Sequence, residues 1–159
     1  MNGSSQGVIY YATARWDWTD PPAGGSTCQQ FDGGKDGFGI AFNKTVVNKG
    51  VSLVTCGAVG TVCKGTGTLS SNSSYGASYV FRDTWASTLV GGGIADRGTL
   101  TYAFGLASKG CVQAYSKYGH AWGSTNVNGV GIGPWSISIS WSSSVNRWEK
   151  SSQAGSYGC

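Results

Sequence analysis

The chain has 159 residues, enough for one domain with a real core, and only 11% of them are charged, against a globular norm of about 25%. Its 27 glycines accompany 13% aromatic residues, including seven tryptophans and eight tyrosines, a combination that argues against disorder and suits a β-rich domain with a neutral polar surface. The net charge of +4 comes from basic residues scattered singly along the chain, so the clustered footprint that neutralises phosphates is missing and nucleic acid is not an expected partner.

Glycine recurs too often for long helices, since each interior glycine costs about 1 kcal/mol against alanine. Strands are predicted in order at residues 8–18, 38–47, 51–56, 66–70, 78–82, 99–106, 112–115, 121–127, 135–142 and 146–151. Between them lie turn clusters such as residues 20–25, Asn48-Lys49-Gly50, the glycine run 91–93 and residues 142–146. In the first strand Val8, Tyr10, Ala12, Ala14, Trp16 and Trp18 share the side expected to face inward, while Ile9, Tyr11, Thr13, Arg15 and Asp17 share the other. In the ninth, Trp135, Ile137, Ile139 and Trp141 alternate with Ser136, Ser138, Ser140 and Ser142, which predicts one dry face and one serine face. Many short strands without helices predict an all-β fold: an antiparallel β-sandwich, with a barrel as second choice, in a single domain with little or no helix. That domain is expected over residues 6–159, with residues 1–5 read as an expression start or disordered N-terminus. No apolar run approaches the roughly 20 residues of a membrane-spanning helix.

The cysteines are Cys28, Cys56, Cys63, Cys111 and Cys159. In a small, charge-poor, loop-rich chain they read as disulfides formed in an oxidising compartment, and with no Cys-x-x-Cys and a single histidine they suit metal ligation poorly. Sequence leaves the pairing open; Cys56 with Cys63 and Cys111 with Cys159 are the preferred pairs, and the odd number leaves at least one thiol over. The protein is therefore expected to be secreted.

No catalytic motif stands out: nucleophile elbow, phosphate loop and zinc-hydrolase patterns are all missing. The acidic pairs Asp17 with Asp20 and Asp32 with Asp36 could serve glycoside hydrolysis, but each lies in or beside a turn-rich segment where aspartate commonly bonds the backbone, and turn chemistry is the expectation. Residues 32–37 resemble a calcium loop yet lack its third acidic ligand and closing glutamate. No cofactor and no metal are expected. His120 lies among aromatics, with no acid or nucleophile near it in sequence, and reads as a structural histidine or as part of an aromatic surface. The excess of indoles is the remaining signal: Trp16, Trp18, Trp122 and Trp148 have charged or turn residues beside them, and with Tyr118 and His120 they form the candidate ligand-binding set. Aromatic rings stack on the apolar faces of sugars while short polar groups satisfy hydroxyls; burial in the core is the competing account.

The segment Ala114-Tyr115-Ser116-Lys117-Tyr118-Gly119-His120 resembles small secreted bacteriocins of Gram-positive bacteria with a β-sandwich fold, over less than a tenth of the chain. No functional residue is carried over from that resemblance. The leading expectation is a binding protein whose partner is a glycan or cell-envelope surface. A membrane-active toxin, whose partner is a lipid bilayer, and a self-assembling subunit of an extracellular fibre follow. Enzyme activity ranks below these.

Overall fold

A computed structural model describes residues 7–17, 34–56, 63–64, 67–82 and 97–159. The sequence expectations for residues 1–5, Trp18, the turn at 20–25, Asp20, Cys28, Asp32 and the glycine run 91–93 lie outside these residues. The described residues contain twelve strands and no helix: β1 (Tyr10–Asp17), β2 (Lys35–Phe42), β3 (Val46–Cys56), β4 (Cys63–Lys64), β5 (Thr68–Ser73), β6 (Gly76–Arg82), β7 (Arg97–Leu106), β8 (Val112–Ala121), β9 (Val127–Gly133), β10 (Ser136–Trp141), β11 (Arg147–Ser151) and β12 (Gly155–Tyr157). All pairings are antiparallel.

One sheet runs β1-β7-β3-β4; the other runs β11-β8-β2-β6-β5, with β12 also on β8; the β9–β10 hairpin stands apart. The fold is all-β and sandwich-like, with no closed barrel among the described strands. Its main core lies between the two large sheets, where Phe38, Ile40 and Phe42 of β2 and Val112, Ala114 and Tyr118 of β8 meet Leu100, Tyr102 and Phe104 of β7. Because side chains alternate along a strand, the odd positions of β2 face the other way. There Ala41 packs with Val127, Val130 and Ile137 of the hairpin, which forms a third layer.

Glycine lets that third layer seat. A Cβ at Gly37 would stand 2.5 Å from Val130 Cγ2, and one at Gly119 would stand 2.6 Å from Ile139 Cδ1. The hairpin thus packs almost onto the backbone of β2 and β8. Ser78 Oγ donates to Val130 O at 2.6 Å and Val130 N donates to Ser70 Oγ at 2.9 Å, pinning β9 to β6 and β5.

Several predicted boundaries are corrected. The strand expected across 38–47 is two strands with a turn at 43–45, where Asn43 Oδ1 takes the amide of Gln113 at 2.9 Å. The turn expected at Asn48-Lys49-Gly50 is a bulge inside β3: the register shifts there, Gly50 has φ of 148°, and its N–H donates to Asn48 Oδ1 at 2.8 Å. The strand placed at 112–115 extends to Ala121, and the strand expected at 121–127 is mostly the connection from β8 to β9. The sequence predicts no strand at β4 or β12 and reaches only the first residue of β9. In the Trp/Ile/Ser segment Ile137 is buried and the serines are mostly exposed, as expected, but Trp135 sits outside the strand at φ of 50° and is 42% exposed.

Both preferred disulfides are present, Cys56–Cys63 clasping β3 to β4 and Cys111–Cys159 holding the end of the chain beside β8. Such bridges are compatible with an extracellular protein.

Candidate functional site

Trp16, Tyr118, His120, Trp122 and Trp148 come together at one end of the sandwich; Trp18 lies outside the described residues. The register explains why. Trp16 lies opposite Gly98 of β7, and because a Cβ at Gly98 would fall 2.0 Å from Trp16 Cη2, only glycine lets the indole lie across that strand. The ring then reaches the main core, stacking on Phe81 at 5.0 Å and meeting Phe38 at 4.9 Å edge-on and Tyr118 at 5.4 Å. On the opposite sheet Trp148 of β11 pairs with His120 of β8, and Lys150 pairs with Tyr118. Trp148 and Lys150 therefore share the inward face with Tyr118 and His120, whereas Glu149 is on the outer face, bridged to Lys117 at 3.4 Å. The Trp148 ring lies 5.8 Å from Tyr118 and 5.6 Å from His120, and Trp122 stacks on the other part of His120 at 5.5 Å.

These rings form a continuous ribbon from Phe81 to Trp122, leading from the core to the surface. Trp148 is 38% exposed, and Trp16 and Trp122 are half-buried. Between β1, at one edge of the first sheet, and β11, at one edge of the second, a cleft of about 390 Å³ opens. Trp16, Phe38, Tyr118 and Trp148 line it, and Arg15, Asp17, Lys150 and three serines, Ser116, Ser151 and Ser152, complete its walls.

Beneath the ribbon sits Asp36, for which the sequence alone predicts turn chemistry. Asp36 lies within β2 at 0% exposure and points into the sandwich. Tyr118 donates its hydroxyl to Asp36 Oδ2, Ala121 N donates to Oδ1 at 2.9 Å, and His120 Nδ1 lies 2.9 Å from Oδ2 and 3.1 Å from Oδ1. A buried carboxylate is tolerable only when so satisfied. The expectation that no acid orients His120 is therefore corrected: Asp36, within hydrogen-bond distance of Nδ1 through both its oxygens, fixes the ring plane. A signal for this was present. Asp36 is in phase with Phe38, Ile40 and Phe42, so an inward carboxylate was implied by the same alternation that set the core face.

Asp17, the described member of the other acidic pair, is exposed at the end of β1 and lines the cleft. Among the described residues no group of three or more His, Cys, Asp or Glu is arranged to hold a metal ion. In the calcium-like segment the Asp36 carboxylate is already committed to Tyr118, His120 and Ala121.

No protein-family model matches the chain, and no curated protein is detectably similar to it in sequence.

Proposed function

We propose that this is a secreted binding protein that holds a polysaccharide, or a saccharide part of a cell envelope, in the cleft between β1 and β11. The observation that carries this reading is the convergence of Trp16 and Trp148, from strands on opposite sheets, over Tyr118 at a cleft whose walls include three serines. Flat rings offer stacking to the apolar face of a sugar, and hydroxyls with a few charged groups offer hydrogen bonds to its rim. The support beneath suits recognition: Asp36 locks Tyr118 and His120, and those rings in turn fix Trp148, so little side-chain freedom is lost when a ligand docks. The two disulfides are compatible with the extracellular setting this role requires.

Titration of cell-wall and plant polysaccharides, followed by tryptophan fluorescence, tests the reading. A binding glycan should perturb the emission, and Trp148→Ala should weaken binding at least tenfold, as a central aromatic does when it carries about 1.4 kcal/mol or more. The circular dichroism spectrum should remain that of the wild type, because Trp148 is a partly exposed residue of an edge strand. Absence of any response to a glycan, together with dye release from liposomes, would replace this reading with membrane activity.

A further inference from the structure

The hairpin covers only part of the second sheet. Beside its first residues a groove of about 960 Å³ remains on the same face, at the upper end of the ~300–1,000 Å³ range of small-ligand sites. Lys35 of β2 and Arg82 of β6 stand directly opposite each other in register, and both face this groove, because Gly37 and Val80, two residues along their strands, face the hairpin. Like charges directly opposite on neighbouring strands repel. Among the described residues Glu149 is bridged to Lys117 and Asp36 is committed to Tyr118, His120 and Ala121, and no described carboxylate is paired with either cation. Around them the groove presents the Thr68 and Ser70 hydroxyls and the amides of Asn126 and Asn128. Ser70 Oγ already accepts the amide of Val130 at 2.9 Å, which leaves its O–H to donate.

We infer that this groove is a second binding site, distinct from the aromatic cleft, for a phosphate or sulfate ester carried on a polyhydroxylated chain such as a sugar. Two cations at one spot, neither paired with a described carboxylate, suit a tetrahedral oxyanion, which Arg82 can meet with paired N–H donors and Lys35 as a point charge. Amides and hydroxyls around them suit the carrier's hydroxyl groups. Phe81, the aromatic among the described lining residues, is buried in the main core, so charge and hydrogen bonds drive this contact, which falls steeply with added salt. The inference does not rest on the proposed role of Trp16 and Trp148.

The test follows backbone and Asn side-chain amide resonances of the full chain while adding glucose 6-phosphate, glucose 6-sulfate, glucose or sodium phosphate. Shifts at Lys35, Arg82, Asn126 and Asn128 with either ester and none with glucose are expected, and the stronger ester identifies the preferred oxyanion. Lys35→Gln and Arg82→Gln should each raise the Kd about tenfold, the loss of one charge-assisted contact. Both variants should fold and, without ligand, melt no lower than wild type, because each removes a repulsion. Trp148→Ala should leave the shifts unchanged, so failure at one site is distinguishable from failure at the other. No shift at these four residues with either ester, unaltered binding by Arg82→Gln, or identical Kd values for phosphate and glucose 6-phosphate, meaning an adventitious ion only, would each overturn the inference.

Discussion

Replacing Gly37 with alanine should lift the hairpin from the sheet beneath it. The added methyl would stand 2.5 Å from Val130 Cγ2 and 3.0 Å from Val127 Cγ1. Valine is stiff about χ1 and both valines are buried, so neither can swing aside and the hairpin backbone must move. Overpacking of this kind costs about 1–3 kcal/mol, partly offset by the ~0.5–1 kcal/mol that alanine gains over glycine within a strand. The net expectation is a loss of about 1–2 kcal/mol, read from the urea midpoint at constant slope. Gly119→Ala meets the tips of Ile139 and Trp141, which can rotate, and should cost less; Gly39→Ala, whose nearest contacts are at 3.1 Å, should be close to neutral. A double-mutant cycle sharpens the point. Val130→Ala opens the space that the new methyl needs, so its cost should shrink by about 1 kcal/mol in the Gly37→Ala background. A Gly37→Ala protein as stable as wild type, or Gly39→Ala as the worst of the three, would refute the idea that glycines seat the third layer.

Removing the Cys111–Cys159 bridge by paired alanine substitution should cost about 4 kcal/mol in the chain-entropy model for its separation of 48 residues, against about 2.5 kcal/mol for Cys56–Cys63 at a separation of 7. Urea unfolding of the two variants gives the order, and a larger loss at Cys56–Cys63 would count against that account. Tyr102 provides a pH test. Its phenol is buried, donates to Ser73 O at 2.6 Å, and is pushed up to about 12 by desolvation, while an unfolded tyrosine ionises near 10. The unfolded chain therefore releases this proton first, so the contribution is intact below about pH 10 and is lost as pH rises towards 12. Tyr102→Phe should flatten the decline of the urea midpoint between pH 9 and 11.5, where Tyr79 and Tyr157, also raised by burial, sustain a remainder; an unchanged slope would remove Tyr102 from the account.

Period-two alternation made the most regular parts of the fold legible. In β1 the inward set Tyr10, Ala12, Ala14 and Trp16 is half-buried or buried while Tyr11, Thr13, Arg15 and Asp17 are exposed, although Val8, expected on the inward side, precedes the strand and is exposed; in β10 the same logic holds for Ile137 and its neighbouring serines. It failed where glycine carries the strand. Val127-Asn128-Gly129-Val130-Gly131-Ile132-Gly133 reads as a loop because glycine usually marks turns, yet from Val130 onward glycine alternates with valine and isoleucine, and a register shift at Asn128 brings Val127 back to the buried side of β9. Glycine was likewise ambiguous at Asn48-Lys49-Gly50, where a bulge and a turn share the same local chemistry and only pairing with β7 decides between them. Trp135 escaped the alternation for a different reason. Its positive φ belongs to the tight connection after Pro134, and its N–H is taken by Phe42 O at 3.0 Å, so the strand's pattern begins one residue later than its spelling suggests.

The candidate site was legible as a set of residue types but not as a piece of chemistry. Tryptophans beside charged and turn residues pointed to Trp16, Trp122 and Trp148, and β-pairing then places Trp148 on His120 and Lys150 on Tyr118. What the linear reading lacked was the partner of His120, because Asp36 and His120 are 84 residues apart and meet only through the pairing of β2 with β8. Alternation narrows even that search. His120 is in phase with Tyr118 and Val112, and Asp36 is in phase with Phe38 and Phe42, so both polar side chains must enter the same dry interior and one must answer the other. A buried acid and a buried imidazole on inward faces are, on physical grounds, each other's most economical partner. The outward positions obey no such constraint: Lys35 and Arg82 could have been placed on any solvated face, and only the register of β2 against β6 shows that two like charges were set side by side at the foot of a groove.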